Sequence, residues 1–145
     1  MAKGLESFEL RTAQDLLDKA KRDYEACKAN PSADLVFNLV CTLNHVSDWA
    51  DKDEETRIPA AEVGHVSSSD EARIVRQLCN RFKHFEKKSG HPEVSHRPGG
   101  AFSSAFSDGF DNAPEAYVVD DRGEQLDILS ICSSLIQLWR GAGLR

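Results

Sequence analysis

Arg76, Asn80 and His84 stand four residues apart in a stretch with helical periodicity, so they climb one face of one helix. Lys83 and Lys87 lie beside them, and Arg73 and Gln77 sit one turn before Arg76 and Asn80 respectively. An imidazole exchanges a proton near neutral pH, a guanidinium grips two phosphate oxygens at once, and an amide orients either partner. That set is the minimum equipment for cleaving a phosphodiester without a metal. His84 would act as general acid or base, Arg76 would stabilise the developing phosphate charge, and Asn80 would position the reacting group. Lys83, Lys87, Gln77 and Arg73 would hold the substrate. The competing expectation is an ordinary solvated helix face whose histidine does no chemistry.

Charge placement agrees with an anionic ligand on this helix. The chain has 145 residues, with 18 Lys and Arg against 24 Asp and Glu, a formal charge of −6. Residues 72–88 hold six basic residues and one acidic residue, a local +5 that leaves −11 on the remainder. The acidic balance excludes a constitutive charge-driven coat on nucleic acid or an anionic membrane, so any polyanion must use this local patch. The same cations could instead pair with the acidic run Asp51, Asp53, Glu54 and Glu55.

A second constellation lies upstream. His45 and Asp48, three residues apart, could support the site, the carboxylate orienting the imidazole, or act as two metal ligands. With His84, His91 and His96 there are donors enough for a metal, but no HExxH, paired Glu-x-x-His or cysteine-rich pattern is present. No metal and no cofactor is therefore expected. His45 and Trp49 read as a polar edge and a packing anchor between helices, and His91 and His96 as solvent-exposed loop residues. Cys27, Cys41, Cys79 and Cys132 are scattered singly among apolar neighbours, the pattern of small reduced core residues. P-loop, GxGxxG-after-strand and GxSxG patterns are lacking.

The elements that must position these residues follow from apolar spacing. Ala13, Leu16, Leu17, Ala20, Tyr24 and Cys27 mark a first helix over about 5–29. Asn30-Pro31-Ser32 breaks it and starts a second, to about Asp51, with apolar residues from Leu35 to Ala50 and a second stripe of Asn38, Thr42, His45 and Trp49. Residues 51–69 read as an acidic connection with Pro59 and Gly64 as breakers, ending in the cap cluster Ser67-Ser68-Ser69-Asp70. Ile74, Leu78, Phe82 and Phe85 stripe a third helix over about 70–88. Residues 89–116 are a long Gly-, Ser-, Pro- and Phe-rich loop in which Phe102, Phe106 and Phe110 suggest partial docking. Residues 117–126 suit a small β-hairpin turning at Asp121-Arg122-Gly123. A last helix from Ile128 is closed by Gly141.

At 40% hydrophobic and 29% charged, these segments predict a single helical domain over 1–145: mainly α, a four-helix antiparallel bundle with a long loop and a small hairpin before the last helix. No apolar h-region and no run of about 18 apolar residues occurs, which predicts a cytoplasmic protein with no membrane span.

The run Arg76-Gln77-Leu78-Cys79-Asn80-Arg81-Phe82-Lys83-His84-Phe85, late in a helix of an all-α domain, resembles the HEPN superfamily of helical bundles. Asn80-x-x-Lys83-His84-Phe85 with Asn44-His45-x-x-Asp48-Trp49 is also similar to a set of bacterial and phage-associated proteins. The HEPN resemblance implies an arginine–polar–histidine motif carried by Arg76, Gln77 and His84. Here the two ends are separated by seven residues, a longer interval than the family's usual one, and Gln77 replaces the commoner Asn, Asp or His. It further implies a homodimer in which two motifs face each other, and metal-independent ribonuclease chemistry of the toxin–antitoxin or antiphage kind. The expectation is an RNA-directed protein, an endoribonuclease or its non-cleaving relative. The alternative is a non-catalytic helical module, of accessory or immunity type, that binds a protein partner through its acidic surface or long loop.

Overall fold

The computed structural model describes residues 8–84, 89–97 and 116–145. Within them lie five helices, α1 (Ala13–Ala29), α2 (Ala33–Lys52), α3 (Ala60–Ser67), α4 (Asp70–His84) and α5 (Ile128–Ala142), and three strands, β1 (Glu93–Arg97), β2 (Ala116–Asp121) and β3 (Glu124–Asp127). The fold is thus mainly helical with a small antiparallel sheet in the order β1-β2-β3.

Capping chemistry sets the helix limits. α1 begins later than apolar periodicity suggests, because Thr12 and Asp15 form a reciprocal capping box that fixes the first turn at Ala13. Asp53, just past α2, then reaches back across the fold: its Oδ2 accepts from the Ala13 backbone N–H at 2.8 Å. Ser32 caps α2 through the Leu35 N–H, Ser69 caps α4 through the Ala72 N–H, and Asp127 caps α5 through the Ser130 N–H. At its far end α5 runs one residue beyond Gly141 and is closed by Gly143, whose φ of 130° favours a residue without a Cβ.

Two expectations need correction. The stretch expected to be an acidic connection contains α3, which follows Pro59 and buries Val63 and Val66; eight residues with two inward valines gave too little periodicity to read. The region expected to be a loop up to 116 contains β1, whose register pairs Glu93 with Asp120 and Arg97 with Ala116. The hairpin β2–β3 is present, turning through Arg122 and Gly123, both at positive φ. Phe85, Lys87, Phe102, Phe106 and Phe110 lie outside the described residues.

A single apolar cluster draws on all five helices and on Val119, with Leu17, Leu39, Leu43, Leu78, Ile128, Leu135 and Trp139 fully buried. α2 occupies its centre, touching α1, α3, α4 and α5. The second stripe of α2 has a packing role at Thr42, which is buried against α1: it accepts from Lys19 Nζ and lies 3.0 Å from Asp23 Oδ2. α4 runs antiparallel to α2, pairing the Phe82 ring with Phe37 at 5.2 Å and the Cys79 thiol with Cys41 at 3.4 Å. All four cysteines are free thiols. Burial, reinforced by the Cys79 thiol, pushes the Cys41 pKa up to about 12. No helix among the described residues is long and apolar enough to cross a membrane.

Candidate functional site

α4 separates its polar side chains into two kinds. Arg73 is largely buried, and its guanidinium meets the Asp121 carboxylate in a two-point contact, Nη1 to Oδ1 at 3.1 Å and Nη2 to Oδ2 at 2.8 Å. Nη1 also donates to Gln77 Oε1 at 3.2 Å, while Nε is buried without a hydrogen-bond partner. Those hydrogen bonds hold the Asp121 carboxyl below the usual carboxylate range despite burial, and raise the Arg73 pKa. Arg81 approaches Glu93 of β1 at 3.8 Å. Arg73, expected at the substrate, thus joins α4 to the hairpin, and Gln77, expected there too, is engaged by Arg73 within α4.

Arg76, Asn80, Lys83 and His84 are of the second kind. All four are exposed, and none makes a side-chain hydrogen bond or ion pair with another described residue. The acidic run does not neutralise them: Asp51, Glu54 and Glu55 are exposed and make no ion pair among the described residues, and Asp53 is committed to local and capping bonds. It accepts from the Thr56 hydroxyl and from the Ala13, Glu55 and Thr56 backbone N–H groups. Burial pushes its pKa up, but these bonds outweigh it and the net shift is downward. The helix places Arg76 and His84 two turns apart, about 12 Å along the axis, with Asn80 between them. One phosphate cannot touch both ends of such a strip, whereas successive phosphates of an extended chain can.

Beside Arg76 is a crevice of about 30 Å³, lined by Leu43, Asn44, Ser47, Ser67, Ala72, Arg76, Leu135 and Trp139. It is large enough to hold a water molecule. The indole Nε1 of Trp139 is buried with no partner among the described residues. His45 and Asp48 do not form a pair. Both are exposed, and Asp48 is bound to Lys52 at 2.9 Å. Among the described residues, no group of three or more His, Cys, Asp or Glu side chains is placed to hold a metal ion. His91 is half-buried rather than open to solvent, and His96 is exposed on β1 with its ring 4.9 Å from that of Tyr117.

No family model, no curated protein and no solved structure matches the chain.

A larger concavity of about 560 Å³ opens on the other flank of α4, between its C-terminal half and the sheet. Phe37, Leu78, Phe82 and Val118 give it apolar walls, and Arg81, Glu93, Asp120 and Gln125 give it polar ones. Sequence reasoning missed it, since its sheet wall depends on β1. One signal was available: Phe37 is a large apolar residue outside the apolar stripe of α2, and in the fold its ring stacks on Phe82 and stays 46% exposed.

Proposed function

We propose that this protein is RNA-directed, holding the phosphate backbone of an extended strand along Arg76, Asn80, Lys83 and His84 of α4. The observation that carries the reading is the contrast within one helix. Arg73 and Arg81 face carboxylates of the fold, while Arg76 and Lys83 face solvent with no counter-charge among the described residues. Two unpaired cations and two hydrogen-bonding side chains on successive turns suit a ladder of phosphates.

The resemblance of 76–85 to the HEPN superfamily supports a stronger form, a metal-independent endoribonuclease of the toxin or defence kind. In that form α1, α2, α4 and α5 correspond to the four-helix bundle, with α3 and the sheet as additions. His84 transfers the proton and Arg76 stabilises the phosphorane charge. Because the two lie about 12 Å apart in one chain, cleavage then requires a homodimer that brings His84 of one copy to Arg76 of the other. Two basic strips face each other in such a dimer, so RNA or phosphate should promote its assembly.

The test is RNA binding by fluorescence anisotropy across a salt series, with cleavage assayed in EDTA. Each phosphate neutralised contributes about −0.7 to the log–log salt slope for a single strand, so Arg76→Ala and Lys83→Ala should each flatten it by about 0.7. Cleavage, in the stronger form, is lost in His84→Ala while circular dichroism is unchanged. Binding that ignores salt and both substitutions would sink the proposal. A second reading, the non-catalytic protein-interaction module, is favoured by the exposed Phe37 ring and predicts that His84→Ala is without effect on function.

A further inference from the structure

We infer that the concavity between α4 and the sheet is a pocket for an unpaired nucleobase, so that the RNA held by the α4 strip is single-stranded. This rests on the RNA-directed reading above and adds the substrate class to it.

Three observations carry it. The first is the aromatic wall. Phe37 and Phe82 are stacked with centroids 5.2 Å apart and planes 21° from parallel, and Phe37 is 46% exposed. A planar ring added against such a pair extends an existing stack, the usual way proteins grip unpaired bases. The second is the charge on the opposite wall. The strand register places Glu93 and Gln125 on either side of Asp120, so two carboxylates face each other across neighbouring strands. Like charges in that relation destabilise a sheet. Arg81 lies within ion-pair distance of Glu93, but Asp120 is exposed and makes no ion pair among the described residues. Gln125 is held by Arg97, whose Nη2 donates to its Oε1 at 3.0 Å, leaving the Gln125 amide N–H groups as donors. A row ending in an acceptor and a donor matches the edge of a base and repels a phosphate. The third is placement. Arg81 and Phe82, which line the concavity, are interleaved along α4 with Asn80, Lys83 and His84 of the strip. A strand whose phosphates follow one face can therefore turn a base into the other.

The carboxylate gives the pocket a preference. Adenine, cytosine and guanine carry an exocyclic amine that can donate to Asp120, whereas uracil presents carbonyl oxygens on both sides of its single N–H. Oligo(U) should bind least well.

The experiment measures anisotropy of labelled oligo(A), oligo(C) and oligo(U) with the full chain, and the emission of a fluorescent adenine analogue placed within oligo(A). Wild-type protein should quench the analogue and bind oligo(A) and oligo(C) more tightly than oligo(U). Phe37→Ala should abolish the quench and weaken oligo(A) about ten-fold, the cost of one lost stack. Phe37→Trp should restore both. Asp120→Asn should erase the discrimination against oligo(U) and leave the salt slope unchanged. Normal circular dichroism in each variant excludes misfolding. If Arg76→Ala and Lys83→Ala weaken binding while the Phe37 and Asp120 variants bind as wild type with an unquenched probe, the base pocket is overturned and the phosphate strip stands. If no RNA binds wild-type protein at all, both fall. Occupation of the concavity by a basic peptide in preference to oligo(A), abolished by Asp120→Asn, would also overturn the inference and favour the interaction module.

Discussion

Asp121 is only 7% exposed, yet both its oxygens are paired with Arg73, which also keeps Asp70 within 3.6 Å and Gln77 within hydrogen-bond reach. Removing one partner of a buried pair strands the other charge, and Asp121→Ala should cost about 3 kcal/mol, the low end of the usual range because Arg73 retains Asp70 and Gln77. Replacing both residues with apolar ones of similar volume should cost far less, and urea titrations of the single and double variants distinguish these outcomes. The sign of the pH effect is fixed by direction. The folded-state pKa of Asp121 lies below its ordinary value of 3.8, so its stabilisation is complete above that pH and is lost as pH falls through the lower folded value. Asp121→Asn should therefore lose less stability on acidification than wild type, while Asp15 and Asp53, shifted in the same direction, preserve part of the acid sensitivity. None of this could be read from sequence. Arg73 and Asp121 are separated by 48 positions, and an arginine on a basic helix looks the same whether it faces phosphate or a distant strand. What sequence did give at this scale was the helical phase of Arg76, Asn80 and His84, since a four-residue interval fixes a shared face wherever the helix lies.

Helix starts were legible at Ser32 and in the cap cluster around Ser69, but not at α1, where apolar spacing placed the start near residue 5. There Thr12 caps the helix locally at Ala13, and Asp53 accepts from that first residue across 40 positions. A carboxylate at a helix N-terminus satisfies an otherwise unpaired N–H and complements the helix dipole. Asp53→Ala removes that contact together with the turn bonds to Glu55 and Thr56, and should destabilise the fold by about 2 kcal/mol, the upper end for a lost cap. Amide exchange gives the sharper check: Ala13 N–H should lose protection in Asp53→Ala. The sheet marks the other limit of legibility. β2 and β3 declared themselves through a turn that requires positive φ, whereas β1 has one apolar side chain, Val94, in Glu93-Val94-Ser95-His96-Arg97 and is a strand only because β2 lies beside it.

At the scale of the whole chain, the acidic balance and the basic α4 are reconciled by subtraction, since the fold itself uses Arg73 and Arg81 and leaves a smaller cationic surface than the local +5 suggests. The central position of α2 also bears on how the molecule assembles. Its contacts with α1 join segments adjacent in the chain and lie in the apolar cluster, whereas among the strands only Val119 is buried in that cluster. A sheet with one residue in the core has little apolar burial to hold it until the helices have packed, so the helical core should condense first and the sheet should dock onto it late. In a folding-rate experiment, Leu39→Ala in α2 should slow refolding with a φ-value of about 0.5 or more, and Val119→Ala in β2 should chiefly hasten unfolding with a φ-value of about 0.3 or less. The concavity beside α4, walled on one side by that sheet, would then be the last part of the molecule to exist during folding and the first to be lost when it opens.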